Sequence, residues 1–148
     1  GAGAVIRLTR DHLRQIADAV EAAYPKECCG LLVGRDSDGD GLEVREIHPS
    51  ANLATGGHDR FEVDPKLILD LQRHLRDGPD QVIGLYHSHP DHPARPSKTD
   101  LEEAWQPELV WLIVAVERGQ AIHTTAHRLV ADGSRFEEIA LHTESPRG

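Results

Sequence analysis

An α/β or α+β fold, a mixed β-sheet flanked by about three helices, is predicted by three features of the sequence. Stretches with three-four apolar spacing alternate with short apolar runs bounded by turn residues. One longer run, Leu109 to Val116, is apolar throughout, as a strand buried on both faces requires. The length, 148 residues with 39% apolar content, suits a single domain, predicted over residues 5–142. Gly1 to Ala4 read as a processed or added start without fold meaning, and Thr143 to Gly148 as a frayed tail.

Thr9 is placed to cap a helix whose apolar positions Leu13, Ile16, Ala17, Val20 and Ala23 share a face until Pro25 stops it. Cys28 to Gly34 and Gly41 to His48 read as hairpin strands. Their connection, Asp36 to Gly41, resembles the start of a calcium loop, but Ile47 stands at the twelfth position, where a bidentate Glu is needed, so a hairpin turn is predicted. A polar loop over residues 50–60 leads to a short strand, Phe61 to Val63. Asp64-Pro65 then opens a second helix with Leu67, Ile68, Leu71 and Leu75 on one stripe, ended by Gly78-Pro79. Gln81 to His89 reads as a strand, and the prolines of residues 90–96 forbid its continuation. A third helix is predicted from Ser97 to about Trp105, followed by Leu109 to Val116 and by two strands, Ala121 to Val130 and Phe136 to Ala140, joined at Asp132-Gly133.

The formal net charge of −9 repels phosphate backbones and anionic membranes, which argues against nucleic acid or a membrane as partner. No run reaches the roughly 18 apolar residues of a membrane span, and a basic-then-apolar signal segment is not seen at the start. The two cysteines, Cys28 and Cys29, are adjacent, which suits small buried thiols in a strand and a reducing, cytoplasmic address.

Chemistry concentrates in Tyr86-His-Ser-His-Pro90, followed by six residues and then Ser97-Lys-Thr-Asp100. Histidines at i and i+2 of a strand point to one face with Cα atoms roughly 6.5–7 Å apart, so His87 and His89 can converge on one ion while Ser88 points away. A helix opening at Ser97 puts Asp100 in its first turn, facing the strand end, and two His with one carboxylate form a three-ligand catalytic zinc set with the fourth position left for water. In open α/β sheets, sites collect beyond the carboxyl ends of strands, where this pair would sit. Ser97 and Asp100 also fit a helix-capping pattern, which is compatible with ligation because it would hold Asp100 in place.

The run His87, Ser88, His89, Pro90, Ser97 and Asp100 resembles, at every position, the signature of the JAMM metallopeptidases, which have the MPN fold, a cytidine-deaminase-like mixed sheet. A match of this kind by chance has odds of roughly one in a hundred thousand. Glu27-Cys-Cys-Gly30-Leu-Leu32-Val-Gly34 is similar to a second pattern of the family, and the resemblance runs from about Val5 to Ala140. It implies that His87, His89 and Asp100 hold one Zn2+, that Glu27 takes a proton from the water and returns it to the leaving amine, and that Ser97 donates a hydrogen bond to the oxyanion. It implies hydrolysis of an amide at a flexible protein tail. Family members that cleave ubiquitin chains often carry long insertions, and this chain has the length of the small free-standing bacterial type. The expected substrate is therefore the Gly-Gly end of a ubiquitin-like sulfur carrier.

Two alternatives keep the same fold, a noncatalytic MPN scaffold that binds partner proteins and a ubiquitin-type deconjugating enzyme. A zinc deaminase is disfavoured because its Pro-Cys-x-x-Cys pattern is absent from the sequence, whose two cysteines are adjacent. His92 reads as solvated or as a substrate contact, and Trp105 and Trp111 as packing anchors. His12, His48, His58, His74, His123, His127 and His142 receive no role. The oligomeric state is not assigned.

Overall fold

The computed structural model describes residues 4–37, 39, 41–55, 60–103 and 108–144. Among these, seven strands and three helices follow in the order β1 (Val5–Thr9), α1 (Arg10–Ala23), β2 (Cys29–Asp36), β3 (Gly41–Ser50), α2 (Pro65–Leu75), β4 (Gln81–Pro90), α3 (Lys98–Glu103), β5 (Val110–Glu117), β6 (Gln120–Leu129) and β7 (Phe136–Glu144). The strands lie in the order β1-β3-β2-β4-β5-β6-β7, and a parallel β1–β7 ladder closes the sheet on itself. The mixed sheet is as predicted; its closure differs from the open sheet that the sequence suggested. The closing element is β1, which the sequence reading passed over. It has five residues, and only Ile6 and Leu8 are buried, so its period-two pattern is too short to stand out beside the helix that follows.

Alternation along the strands sends neighbouring side chains to opposite faces. On one face Ile6, Leu8, Leu32, Tyr86, Leu112 and Val114 pack with Ile16 and Val20 of α1. On the other, Leu31, Val33, Leu85 and Trp111 pack with Leu71 of α2. Both faces of β2, β4 and β5 are covered, which is why these strands read as unbroken apolar runs. Two glycines of β2 follow from the packing. A Cβ at Gly30 would run into the buried ring of Tyr86, and one at Gly34 into the Glu43 carbonyl of β3.

Helix starts match their caps. Thr9 Oγ1 accepts from His12 N, and His12 Nδ1 accepts from Thr9 N, so His12, given no role from sequence, closes a capping box. Asp64 caps α2 through Lys66 N, with Pro65 in the first turn. Two boundaries are corrected. Phe61 to Val63 forms no strand beyond a single Asn52–Val63 bridge, because its backbone is engaged elsewhere: Glu62 N donates to Asn52 Oδ1, and Glu62 O accepts from Leu53 N. The predicted frayed tail begins too early, since Thr143 and Glu144 pair with Leu8 and Thr9. Helix α3 is described to Glu103; the predicted continuation to Trp105 lies outside the described residues, as do parts of the 36–41 turn and of the 50–60 loop, including His58. No helix among the described residues is long and apolar enough to cross a membrane.

Gly34→Ala is expected to destabilise the fold by about 1–3 kcal/mol, seen as a lower urea midpoint at unchanged slope, whereas Gly78→Ala, whose Cβ would meet its nearest atom only at 3.9 Å, stays within about 0.5 kcal/mol.

Candidate metal centre

His87 and His89 lie near the carboxyl end of β4 and share a face, while Tyr86 and Ser88 point to the opposite side, as strand alternation requires. On that opposite side Ser88 locks β4 to the segment before β2: Cys28 N donates to Ser88 Oγ at 2.8 Å, and Ser88 N donates to Cys28 O at 2.9 Å. This places Glu27 beside His87 although 60 residues separate them in the chain. Asn52 holds the same segment by donating to the Glu27 carbonyl at 3.1 Å.

Helix α3 supplies Asp100. Asp100 N donates to Ser97 Oγ at 3.0 Å and Ser97 N donates to Asp100 Oδ2 at 2.9 Å, the reciprocal box of a helix start. The capping pattern and the approach of Asp100 to the histidines are therefore both realised. Because the Ser97 hydroxyl accepts from Asp100 N, its own proton remains available to donate outward.

Ligand-type atoms of Glu27, His87, His89 and Asp100 all lie within 4.8 Å of one another, and all four residues are buried. Each imidazole is held through Nδ1 and presents Nε2 to Asp100. His87 Nδ1 donates to Glu27 Oε1 at 2.9 Å, and His89 Nδ1 donates to the Pro93 carbonyl at 3.0 Å. The Nε2 atoms of His89 and His87 stand 3.0 and 3.7 Å from Asp100 Oδ2. Acceptors behind the ring with nitrogens converging in front are the arrangement of metal-binding histidines. The fit to a cation rests on one atom in particular. His87 Nε2 is buried and has no hydrogen-bond partner among the described residues, a costly condition that a metal ligated there would relieve. The group could therefore hold a metal ion.

Electrostatics follow from burial and pairing. Burial works against the charged form of His89, but the Asp100 hydrogen bond, the Pro93 carbonyl and the nearby carboxylates outweigh it and raise its pKa above 6.5. Burial also works against charged Asp100, and the bond with His89, the proximity of His87 and the Ser97 amide overcome it, lowering its pKa below 3.8. The Cys29 thiol is pushed up to about 12 by burial and plays no part in the cluster.

A cleft of about 300 Å³ opens beside the cluster, lined by Glu27, His89, His92, Pro93, Arg95 and Ser97. Its wall is the proline loop, turned at Asp91, whose backbone is left-handed with φ 58°. Tyr24 Oη donates to Asp91 Oδ2 at 2.7 Å and Arg118 N to Asp91 Oδ1 at 3.3 Å, which secures the turn. His92 is exposed on this wall. Trp105 lies outside the described residues.

The sequence reading missed Phe61. Its ring stacks on His87 with centroids 4.2 Å apart, and the ring of Trp111 stands edge-on to His87 at 5.4 Å. Trp111 is thus a packing anchor, as expected, but one that packs a site residue. Nothing local marks Phe61, because its partner lies on a strand formed well after it in the chain.

Comparisons with known proteins agree with the geometry. The family model for prokaryotic homologs of the JAB domain matches residues 9–129. A desampylase from Haloferax volcanii is 33% identical over 120 residues, which are 81% of this chain and 80% of its own. The CysO-cysteine peptidase of Mycobacterium tuberculosis is 28% identical over 115 residues, 78% of this chain and 75% of its own. The solution structure of a Desulfitobacterium hafniense protein superposes with a TM-score of 0.81 at 31% identity, covering 95% of this chain and 94% of that one. A JAB1/MPN domain protein from Archaeoglobus fulgidus shares the fold, with a TM-score of 0.55 at 22% identity over 97% and 99% of the two chains.

The His89–Asp100 pair has a pH signature in chelator-treated protein. The raised His89 pKa contributes stability that is full below 6.5 and lost as pH rises through the folded value. The lowered Asp100 pKa contributes stability that is present above 3.8 and lost as pH falls through its folded value. An NMR titration should place the His89 midpoint above 6.5, and Asp100→Asn should lower it.

Proposed function

The chain belongs to the family of prokaryotic homologs of the JAB domain, and from that premise we propose that it is a zinc-dependent peptidase or isopeptidase acting on the C-terminal tail of a ubiquitin-like sulfur-carrier protein. The observation that carries this reading is the buried convergence of two Nε2 atoms on one carboxylate, with His87 Nε2 left without a partner. His87, His89 and Asp100 are the ligands. Two imidazoles and a carboxylate suit zinc and leave a coordination position open. Zinc supplies there an acidified water near neutral pH and a Lewis acid for the scissile carbonyl.

The remaining work falls to the protein. Glu27 engages His87 through Oε1 and has a second carboxylate oxygen for proton transfer. In this reading it takes the proton that water loses on attack and delivers it to the departing amine, a role worth typically 10²–10⁴-fold in rate. Ser97 sits at the cleft edge and donates its free hydroxyl proton to the carbonyl oxygen as negative charge develops. A Gly-Gly terminus, which carries no side chains, would bring its backbone carbonyl into the cleft of about 300 Å³ beside Glu27 and Ser97. The relatives named for desampylation and for CysO-cysteine cleavage support a substrate of that class. A purely scaffolding role would leave the buried ligand set without a purpose. Two free thiols, Cys28 and Cys29, support a reducing compartment, the cytoplasm. Net charge of −9 supports a protein partner over nucleic acid or membrane.

Glu27→Gln keeps an acceptor for His87 and removes the base, so the variant should bind one zinc per chain by elemental analysis and lose at least about 100-fold in kcat on a carrier–amine fusion. His89→Ala should lose both zinc and cleavage. Normal cleavage by Glu27→Gln would sink the proton-transfer assignment. Zinc added to chelated wild-type protein should raise Tm, and EDTA should reverse the shift together with the activity.

A further inference from the structure

Two buried polar side chains of β6, Thr125 and His127, have no part in the proposed mechanism. Register across the sheet sets Thr125 level with Ile113 of β5, and Ile113 level with His87 of β4. Ile113 and Ala115 pack with Ala94 of the proline loop, so the loop rests on β5 between the ligand strand and β6. Thr125 Oγ1 donates to the Ala94 carbonyl at 2.6 Å, and His127 Nε2 lies 2.7 Å from the same hydroxyl. Both residues are buried.

Counting protons gives the contact a direction. A peptide carbonyl cannot donate, so the single hydroxyl proton of Thr125 goes to Ala94, and His127 Nε2 must supply the proton of the second bond. Burial holds the His127 pKa below its ordinary value against the opposing pulls of Glu138 and of the Ala94 carbonyl, so the neutral ring carries its one proton on Nε2, toward Thr125 and that carbonyl. The relay runs from His127 to Thr125 to the Ala94 carbonyl. The adjacent carbonyl, Pro93, is the acceptor that orients His89 through Nδ1. Thr125 thus bonds the backbone of the proline loop from β6, a strand that carries none of the proposed ligands.

We propose that Thr125 and His127 are positioning residues: by fixing the Ala94 peptide they hold the Pro93 carbonyl against His89 Nδ1, and so set the ring angle at which His89 meets the metal. Neither residue touches the reacting atoms. The proposal rests on the assignment of His89 as a ligand, and its test separates the two.

Thr125→Val removes the hydroxyl at constant shape, and Thr125→Ser restores it. In chelated protein, ring-nitrogen NMR of His89 should show a slowly exchanging Nδ1–H in wild type and Thr125→Ser, and a shifted or rapidly exchanging one in Thr125→Val. Zinc affinity, measured by competition with a chromophoric chelator, should fall about 10–100-fold in Thr125→Val, and kcat should fall with KM within about twofold. His127→Leu should repeat these losses, and His127→Gln, whose amide supplies an N–H donor, should reverse them. This pair decides the matter if Thr125→Val does not fold. Wild-type His89 signals and zinc affinity within twofold in both Thr125→Val and His127→Leu would overturn the relay. Failure of the wild-type protein to take up zinc would overturn the metal reading alone, leaving the His89 Nδ1 signal to judge the relay.

Discussion

Asp100 Oδ2 is the atom on which the site is built. It accepts from the Ser97 amide and from His89 Nε2, and His87 Nε2 faces it from 3.7 Å. A carboxylate buried this deeply would ordinarily protonate, and only the nitrogens gathered around it keep it charged. Each has to arrive from a different direction. Strand alternation delivers the two imidazoles, a helix start delivers the amide, and the loop between them must bring strand end and helix start together at hydrogen-bonding range. The prolines and the braced left-handed turn at Asp91 are the means by which that loop keeps a fixed path.

The surrounding architecture makes so polar a group tolerable. Both faces of β4 are covered, one by the core that includes α1 and the other by the layer beneath α2. His87 lies at the edge of that second layer, packed against Phe61 and Trp111, whose rings also meet each other. Exclusion of water strengthens the electrostatic bonds inside the cluster and raises the cost of the unpartnered Nε2. A site held in this tension is preorganised for a cation, because the ring orientations are set by acceptors behind the histidines and need not be set by the ion. Hydrogen bonding continues outward through neighbouring carbonyls of the proline loop, Pro93 accepting from His89 and Ala94 from Thr125 of β6.

What could be read without coordinates was what depends on neighbours in the chain. The His87/His89 pair was legible because a strand repeats every two residues, and the Ser97/Asp100 pair because a helix start repeats its partners three residues apart. The caps at Thr9 and Asp64 and the two-sided burial of β5 are local patterns of the same kind. Glu27 was different: nothing in spacing selects it, and only its likeness to a family pattern did so.

What tertiary structure alone decided is everything that joins distant segments. The β1–β7 ladder that closes the sheet, the Ser88–Cys28 bonds that carry Glu27 to His87, the stacking of Phe61 and the hold of Thr125 on Ala94 each link residues that periodicity cannot relate. The sequence by itself determined which side chains share a face and where helices begin, since these follow from backbone geometry over a few residues. Which faces meet is a matter of packing, because it depends on the free energy of the whole sheet and on the satisfaction of buried polar groups across it.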